Sequence, residues 1–242
     1  MIPSASSVEL EKKPISDFMQ RFASRQVNVA ELFHENSKLS PHSTVQVPPD
    51  QRKLAEVRDW FFDTAYKIKD EEIKPEKEQL CRIRHLDLPP GPAELLATVA
   101  LGQQTSELLY AIDLLVLQGD HLYRTLPRSE FLWVERVLTE NQVQGLKSSI
   151  PDVHPQQLAG IKTFLILVAC PWRYMLLYGP RGYRHTLLDG GRLICRLEQE
   201  AVHAGCRLLV APNFYDHQVD RILYNDGVER SALVMIGLKG GA

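Results

Sequence analysis

The sequence predicts an α+β domain with a mixed central sheet flanked by helices. Three observations lead there. Helical periodicity of three and four residues marks residues 50–69 and the long run from Tyr183 to Ala204. The stretch Ile161 to Cys170 is apolar nearly throughout, the mark of a strand buried on both faces. Leu108 to Leu117 and His121 to Leu126 flank Gly119-Asp120, which reads as an antiparallel hairpin.

The remaining elements follow in chain order. Residues 1–48 are polar apart from Val27 to Phe33, and form an N-terminal extension to a domain over 49–242. The start, Met1 to Lys13, lacks the apolar core of a signal peptide. Leu54, Val57, Phe61, Ala65 and Ile68 form the core-facing stripe of the first helix, and the charged run Lys69 to Glu78 is a solvated linker. Pro89, Pro90 and Pro92 introduce a short helix to Leu101, where proline costs no hydrogen bond. Residues 128–138 read as helical. Gly205 suits the stop of the long helix. Gly190 and Gly191 lie inside that helix, where each costs about 1 kcal/mol relative to alanine; glycine there implies the close approach of another helix or a ligand. Cys206 to Ala211 reads as a short buried strand, Asp216 to Tyr224 as a helix, and Ser231 to Leu238 as a last strand, giving four or five strands in all. Ile161 through the long helix to Cys206 has the form of a parallel βαβ crossover.

Composition limits function. The 242 residues are 44% apolar and 24% charged, with a net charge of -2, which argues against broad electrostatic binding to nucleic acid. No apolar run reaches the roughly 18 residues of a membrane-spanning helix, and a cytoplasmic protein is expected. The four cysteines form no C-x-x-C pair or zinc spacing and are expected as buried free thiols. No phosphate loop, dinucleotide fingerprint, nucleophile elbow or metalloprotease motif is present. The eight histidines are scattered; His34, His42 and His85 lie in polar surroundings and are expected at the surface. Glu94 and Glu107 do not by themselves make an acid/base pair.

The run Arg173 to Leu197 carries the most chemistry. Tyr178, Arg181, Tyr183 and Arg184 crowd around Gly179, Pro180 and Gly182 at the start of the long helix. Such a turn either packs its tyrosines and pairs its arginines with carboxylates, or seats a phosphate or other anion at the helix N-terminus.

The same region resembles the nitroreductase-fold superfamily, and within it the SagB-type dehydrogenases, flavin enzymes that oxidise azoline rings to azoles in ribosomal peptide modification. The resemblance rests on L-L-Y-G-P-R-G-Y-R, Leu187 to Arg192, N-F-Y-D at Asn213 to Asp216, and L-Y-N-D-G-V-E at Leu223 to Glu229, in order from Leu176 to Glu229, with F-H-E-N-S-K-L at Phe33 to Leu39. It implies a homodimer or heterodimer with FMN at the subunit interface, a peptide substrate or partner enzyme, Tyr178 as the proton-transfer residue, and Arg82, Arg84, Arg181, Gly182, Arg184 and Asn213 as cofactor contacts. No metal is implied. Four positions depart from the family pattern. Arg82 stands where the phosphate motif has serine, with Arg84 in register. Gln104 to Leu108 replaces a proline-serine-alanine-glycine-glycine segment. Leu177 replaces the lysine before Tyr178. Pro212 has no N–H to offer a flavin ring. The resemblance therefore implies either an FMN oxidoreductase or a flavin-less binding or scaffolding subunit of the same fold. The arginines leave a third reading open, a nucleotide- or anion-binding module.

Overall fold

Helices pack on both faces of a seven-stranded sheet in the computed structural model, which describes residues 51–71 and 82–240. All of these fall within one unit, Gln46–Ala242. The elements run α1 (Gln51–Glu71), β1 (Arg82–Arg84), a 3-10 turn (His85–Asp87), α2 (Pro92–Leu101), α3 (Gln103–Leu108), β2 (Ile112–Gln118), β3 (His121–Thr125) and β4 (Phe131–Val137). Then come α4 (Glu140–Ser148), α5 (Pro155–Ala159), β5 (Thr163–Ala169), α6 (Trp172–Tyr178), a 3-10 turn (Gly179–Arg181), α7 (Gly182–His203), β6 (Cys206–Ala211), α8 (Asp216–Leu223) and β7 (Ser231–Gly240).

The sheet order is β1-β4-β3-β2-β5-β7-β6, and every neighbouring pair is antiparallel. The α+β class therefore holds, but β5 and β6 do not pair. They run in the same direction with β7 inserted between them, antiparallel to both. β5 is buried along its whole length because strands flank it on both sides and helices cover both faces. On one face Leu193, Leu197 and Ala201 of α7 and Leu95, Leu96 and Val99 of α2 pack on Ile112, Leu114, Leu165, Leu167 and Ile236. On the other, Leu146 of α4, Leu158 of α5 and Val219 and Leu223 of α8 pack on Leu115, Phe164, Ile166 and Met235. Alternation along the strands sends successive side chains to opposite cores. β6 is an edge strand whose middle residues are half-buried, so it is less buried than its apolar sequence suggests.

The hairpin forms as its sequence predicts, with Gln118 opposite His121 and Gly119 at φ +64° in the turn. Gly205 ends α7 at φ +65°. The helix expected over 128–138 is instead β4. The pattern F-L-W-V-E-R-V fits both periods, but extended chain gives it partners on two sides, β3 and β1, and buries Leu132 completely. The helix lies just beyond, where Thr139 and Gln142 close a reciprocal capping box: Gln142 N–H donates to Thr139 Oγ1 (3.3 Å) and Thr139 N–H to Gln142 Oε1 (2.9 Å).

Two surface expectations fail. Cys170 and Cys206 are buried free thiols, with burial pushing Cys170 up to about 12, but Cys195 is exposed on the outer side of α7. Cys81, His34 and His42 lie outside the described residues, as does the extension over 1–48. His85, expected outside, is 2% exposed, and burial lowers it from 6.5 to about 4. Above pH 6.5 neither folded nor unfolded chain protonates this imidazole. Below it the unfolded ring takes a proton that the buried ring refuses until about pH 4. Folding stability should therefore fall by about 3 kcal/mol across that window from this residue. Urea midpoints at pH 7 and near pH 4 should show a smaller acid loss in His85→Gln than in the parent; an equal loss would contradict the assignment.

Candidate functional site

The aromatic, cationic turn lies between two helices rather than at a free surface. α6 stops at Gly179, whose φ of +57° no ordinary residue adopts cheaply, and Pro180 follows without an N–H. The chain then enters α7 at Gly182. A Cβ at 182 would fall on the backbone of Met175 and Tyr174, so the two helix backbones touch there. This contact faces two i, i+4 pairs at each other: Tyr174 and Tyr178 from α6, His185 and Asp189 from α7.

Tyr174 donates its hydroxyl to Asp189 Oδ2 at 2.6 Å, and Arg192 donates to Asp189 Oδ1 at 3.2 Å. Tyr178 stacks on His185, ring centroids 4.3 Å apart and 29° between planes. Tyr110 meets Tyr174 edge-on at 5.1 Å. Burial raises Tyr178 above the ordinary phenol value, with Arg58 opposing and Asp189 adding to it. Burial also raises Tyr174, assisted by the Asp189 carboxylate, and raises Asp189 itself against the Tyr174 hydrogen bond. His185 is lowered by burial, against the pull of Asp189. Near neutral pH the arrangement thus holds two protonated phenols next to a neutral imidazole and a carboxylate, groups able to give and take a proton.

A second polar cluster lies beneath. Asp113, in the apolar run of β2, is fully buried among three guanidiniums: Arg173 Nη1 at 2.8 Å, Arg230 Nη2 at 3.3 Å and Arg124 Nη1 at 3.4 Å. Arg124 also pairs with Glu135 of β4. Burial alone would raise the Asp113 carboxyl, but Arg173, Arg124 and Arg230 together hold it at about 2. Arg173 further donates to the Tyr110 carbonyl at 3.0 Å, while Tyr110 donates its hydroxyl to the Arg173 carbonyl at 3.2 Å.

The residues that the resemblance implies do not gather in one chain. Tyr178, Arg181, Gly182 and Arg184 share the helix junction. Arg82 and Arg84 lie on β1 at one edge of the sheet, their guanidiniums 4.4 and 5.8 Å from the Phe131 ring. Asn213 follows β6 at the opposite edge, where its amide donates to Asp152 Oδ2 at 2.7 Å. Six inter-strand steps of about 4.8 Å separate these edges, roughly 29 Å. Gly182 is accounted for by the helix contact. The small pair inside α7 divides: a Cβ on Gly190 would meet Leu233 Cδ2 at 2.6 Å, whereas nothing lies within 4 Å of one on Gly191. Among the described residues no group of three or more His, Cys, Asp or Glu side chains could hold a metal, and no helix is long and apolar enough to cross a membrane.

The closing motif L-Y-N-D-G-V-E is turn chemistry. Asp226 Oδ1 accepts the N–H groups of Val228 (2.8 Å), Glu229 (2.8 Å) and Arg230 (3.0 Å), bonds that lower its carboxyl. Asp220 takes the Ala232 N–H at 2.8 Å and the Asn225 amide at 2.9 Å, tying α8 to β7.

Two solved structures share this architecture. One, described as a nitroreductase from Anabaena variabilis, superposes with a TM-score of 0.60 at 19% identity over 88% of this chain and 46% of its own. The chain thus spans about half the length of that protein. The chain has the nitroreductase fold. The Escherichia coli microcin synthetase McbBCD complex with truncated pro-MccB17 bound has the same fold, at TM-score 0.53 and 16% identity, over 95% of this chain and 92% of the matched one. No protein-family model matches the sequence. No curated protein matches it either.

Sequence reading passed over Tyr174, His185, Asp189 and the Asp113 cluster. A signal existed for two of them: Asp113 breaks an otherwise apolar strand, and Tyr174 precedes Tyr178 by one helical turn. The glycines test the geometry. Gly182→Ala should destabilise by about 1–3 kcal/mol, because the backbone it strikes cannot yield. Gly191→Ala, in open space within a helix, should stabilise by about 0.5–1 kcal/mol. Urea unfolding of both variants checks this; similar shifts would show that α6 and α7 do not meet at 182.

Proposed function

We propose that this chain is a subunit of an FMN-dependent oxidoreductase of the nitroreductase and SagB type, acting on a peptide azoline in ribosomal peptide modification. The observation that carries the reading is the division of the expected cofactor contacts between the two sheet edges and the α6–α7 junction. Residues so placed fit one flavin only when two chains contribute. The outer face of α7 supports such an assembly, since Tyr183, Leu187 and Leu188 leave it apolar and exposed. The fold shared with a pro-peptide-bound synthetase complex supports a peptide substrate or a partner enzyme.

In this reading Arg82, Arg84, Arg181 and Arg184 would hold the phosphate, with Gly182 and Asn213 lining the site, and FMN when bound would supply the two-electron acceptor. The chain's own groups handle protons. The Tyr178 phenol carries its proton at neutral pH, as an ordinary phenol does, burial shifts it further up, and His185 stacks on its ring. Leu177, replacing a lysine, adds hydrocarbon beside it.

A second reading is a flavin-less binding or scaffolding subunit in the cytoplasm, partnering an active homologue as a heterodimer. It is favoured by Pro212, which offers no N–H, and by Arg82, whose guanidinium lies against Phe131. Protein purified with added FMN and desalted should retain the flavin absorbance bands, and Arg84→Ala and Arg184→Ala should each lose them. A flat spectrum from folded, dimeric protein would overturn the first reading in favour of the second.

A further inference from the structure

Leu54, Arg58 and Phe62 follow one another at helical steps of four, which puts them on one face of α1. Leu54 and Phe62 are buried and pack in one cluster with Tyr110, Tyr174 and Tyr178. The helix therefore carries Arg58 to the face that covers the tyrosines. Its side chain is 13% exposed, and its Nη2 pairs with Glu107 Oε2 of α3 at 3.1 Å. Its Nε makes no hydrogen bond among the described residues. A guanidinium stays charged across the whole working pH range. The other groups around Tyr178 are Tyr174 on α6, Tyr110 before β2, and His185 and Asp189 on α7, with Arg192 on the Asp189 carboxylate. Asp189 pushes the Tyr178 phenol up, and Arg58 opposes it. Arg58 acts in the same downward direction on Tyr110, Tyr174 and Asp189.

From this arrangement we infer that Arg58 is a positioning residue for Tyr178, a fixed cation that α1 sets against the tyrosine cluster to stabilise the Tyr178 phenolate. When Tyr178 donates, its O–H bond breaks, the proton passes to a basic atom of the substrate, and the electron pair stays on the phenol oxygen. A positive charge already in place lowers the cost of that anion without any rearrangement at the moment of transfer. Leu177, next to Tyr178 in the chain, is hydrocarbon and supplies no such charge. Glu107 keeps the long Arg58 side chain from swinging into solvent. This role rests on the reading of Tyr178 as the proton-transfer residue. It is measurable on the phenol itself, with no flavin present, so its failure and the failure of the FMN reading are separate results.

Fluorine NMR of the full chain labelled with fluorotyrosine, without added flavin, follows each phenol through its titration. Fluorination acidifies the phenol and brings its titration to milder pH, and Tyr178→Phe identifies the Tyr178 resonance. Arg58→Gln should raise the Tyr178 midpoint, because burial and Asp189 then act unopposed. Arg58→Lys should bring it back toward the parent. Glu107→Gln breaks the same ion pair but keeps the cation, and should leave the midpoint in place or lower it. Arg58→Met, which keeps an apolar stem without the charge, makes the same test should the glutamine variant not fold. A midpoint unmoved by loss of the charge would overturn the role, as would a rise that lysine does not reverse. An equal rise in Glu107→Gln and Arg58→Gln would also overturn it, leaving the pair as a tie between α1 and α3.

Discussion

The buried Asp113 carboxylate organises this molecule. It sits where β2 begins, and its three arginines come from α6, from β3 and from the turn before β7. A lone carboxylate at that depth would be costly, and so would three guanidiniums without it. Each keeps the others tolerable, and losing one member of such a set typically costs about 3–5 kcal/mol. The cluster therefore fixes where α6 starts relative to the sheet. Once Arg173 is held, Tyr174 and Tyr178 follow on the face that turns toward α7.

Gly182 completes that arrangement. The backbone contact it permits sets the distance between α6 and α7, and with it the stacking of Tyr178 on His185 and the hydrogen bond from Tyr174 to Asp189. The proton-bearing groups thus depend on two constraints far apart in sequence, a carboxylate at 113 and a missing side chain at 182. The cationic turn, prominent in the sequence, joins the two helices.

The family-like motifs divide in the same way. Asp226 spends its oxygen on backbone N–H groups and Asn225 donates to Asp220, so the closing motif is fold chemistry. Tyr178 is placed where chemistry is feasible. Arg82, Arg84 and Asn213 lie at opposite edges of the sheet, and a common ligand would require a second chain. Sharing a fold with flavin enzymes does not by itself give this chain their activity.

The sequence by itself determined the elements whose signal is local. The stripe of α1 at Leu54, Val57 and Phe61, the length and stop of α7, the apolar β5 and the Gly119-Asp120 hairpin were all legible, because periodicity and turn residues act over a few positions. The class followed from their order, and the nitroreductase resemblance from the motifs between Leu176 and Glu229. Only the tertiary structure decided what depends on partners distant in the chain. It made 131–137 a strand by flanking it with β1 and β3, inserted β7 between β5 and β6, buried His85 beneath polar-looking sequence, and exposed Cys195. It also gathered Asp113 with arginines at 124, 173 and 230. Burial and pairing are properties of the packed chain, and no short window of sequence contains them.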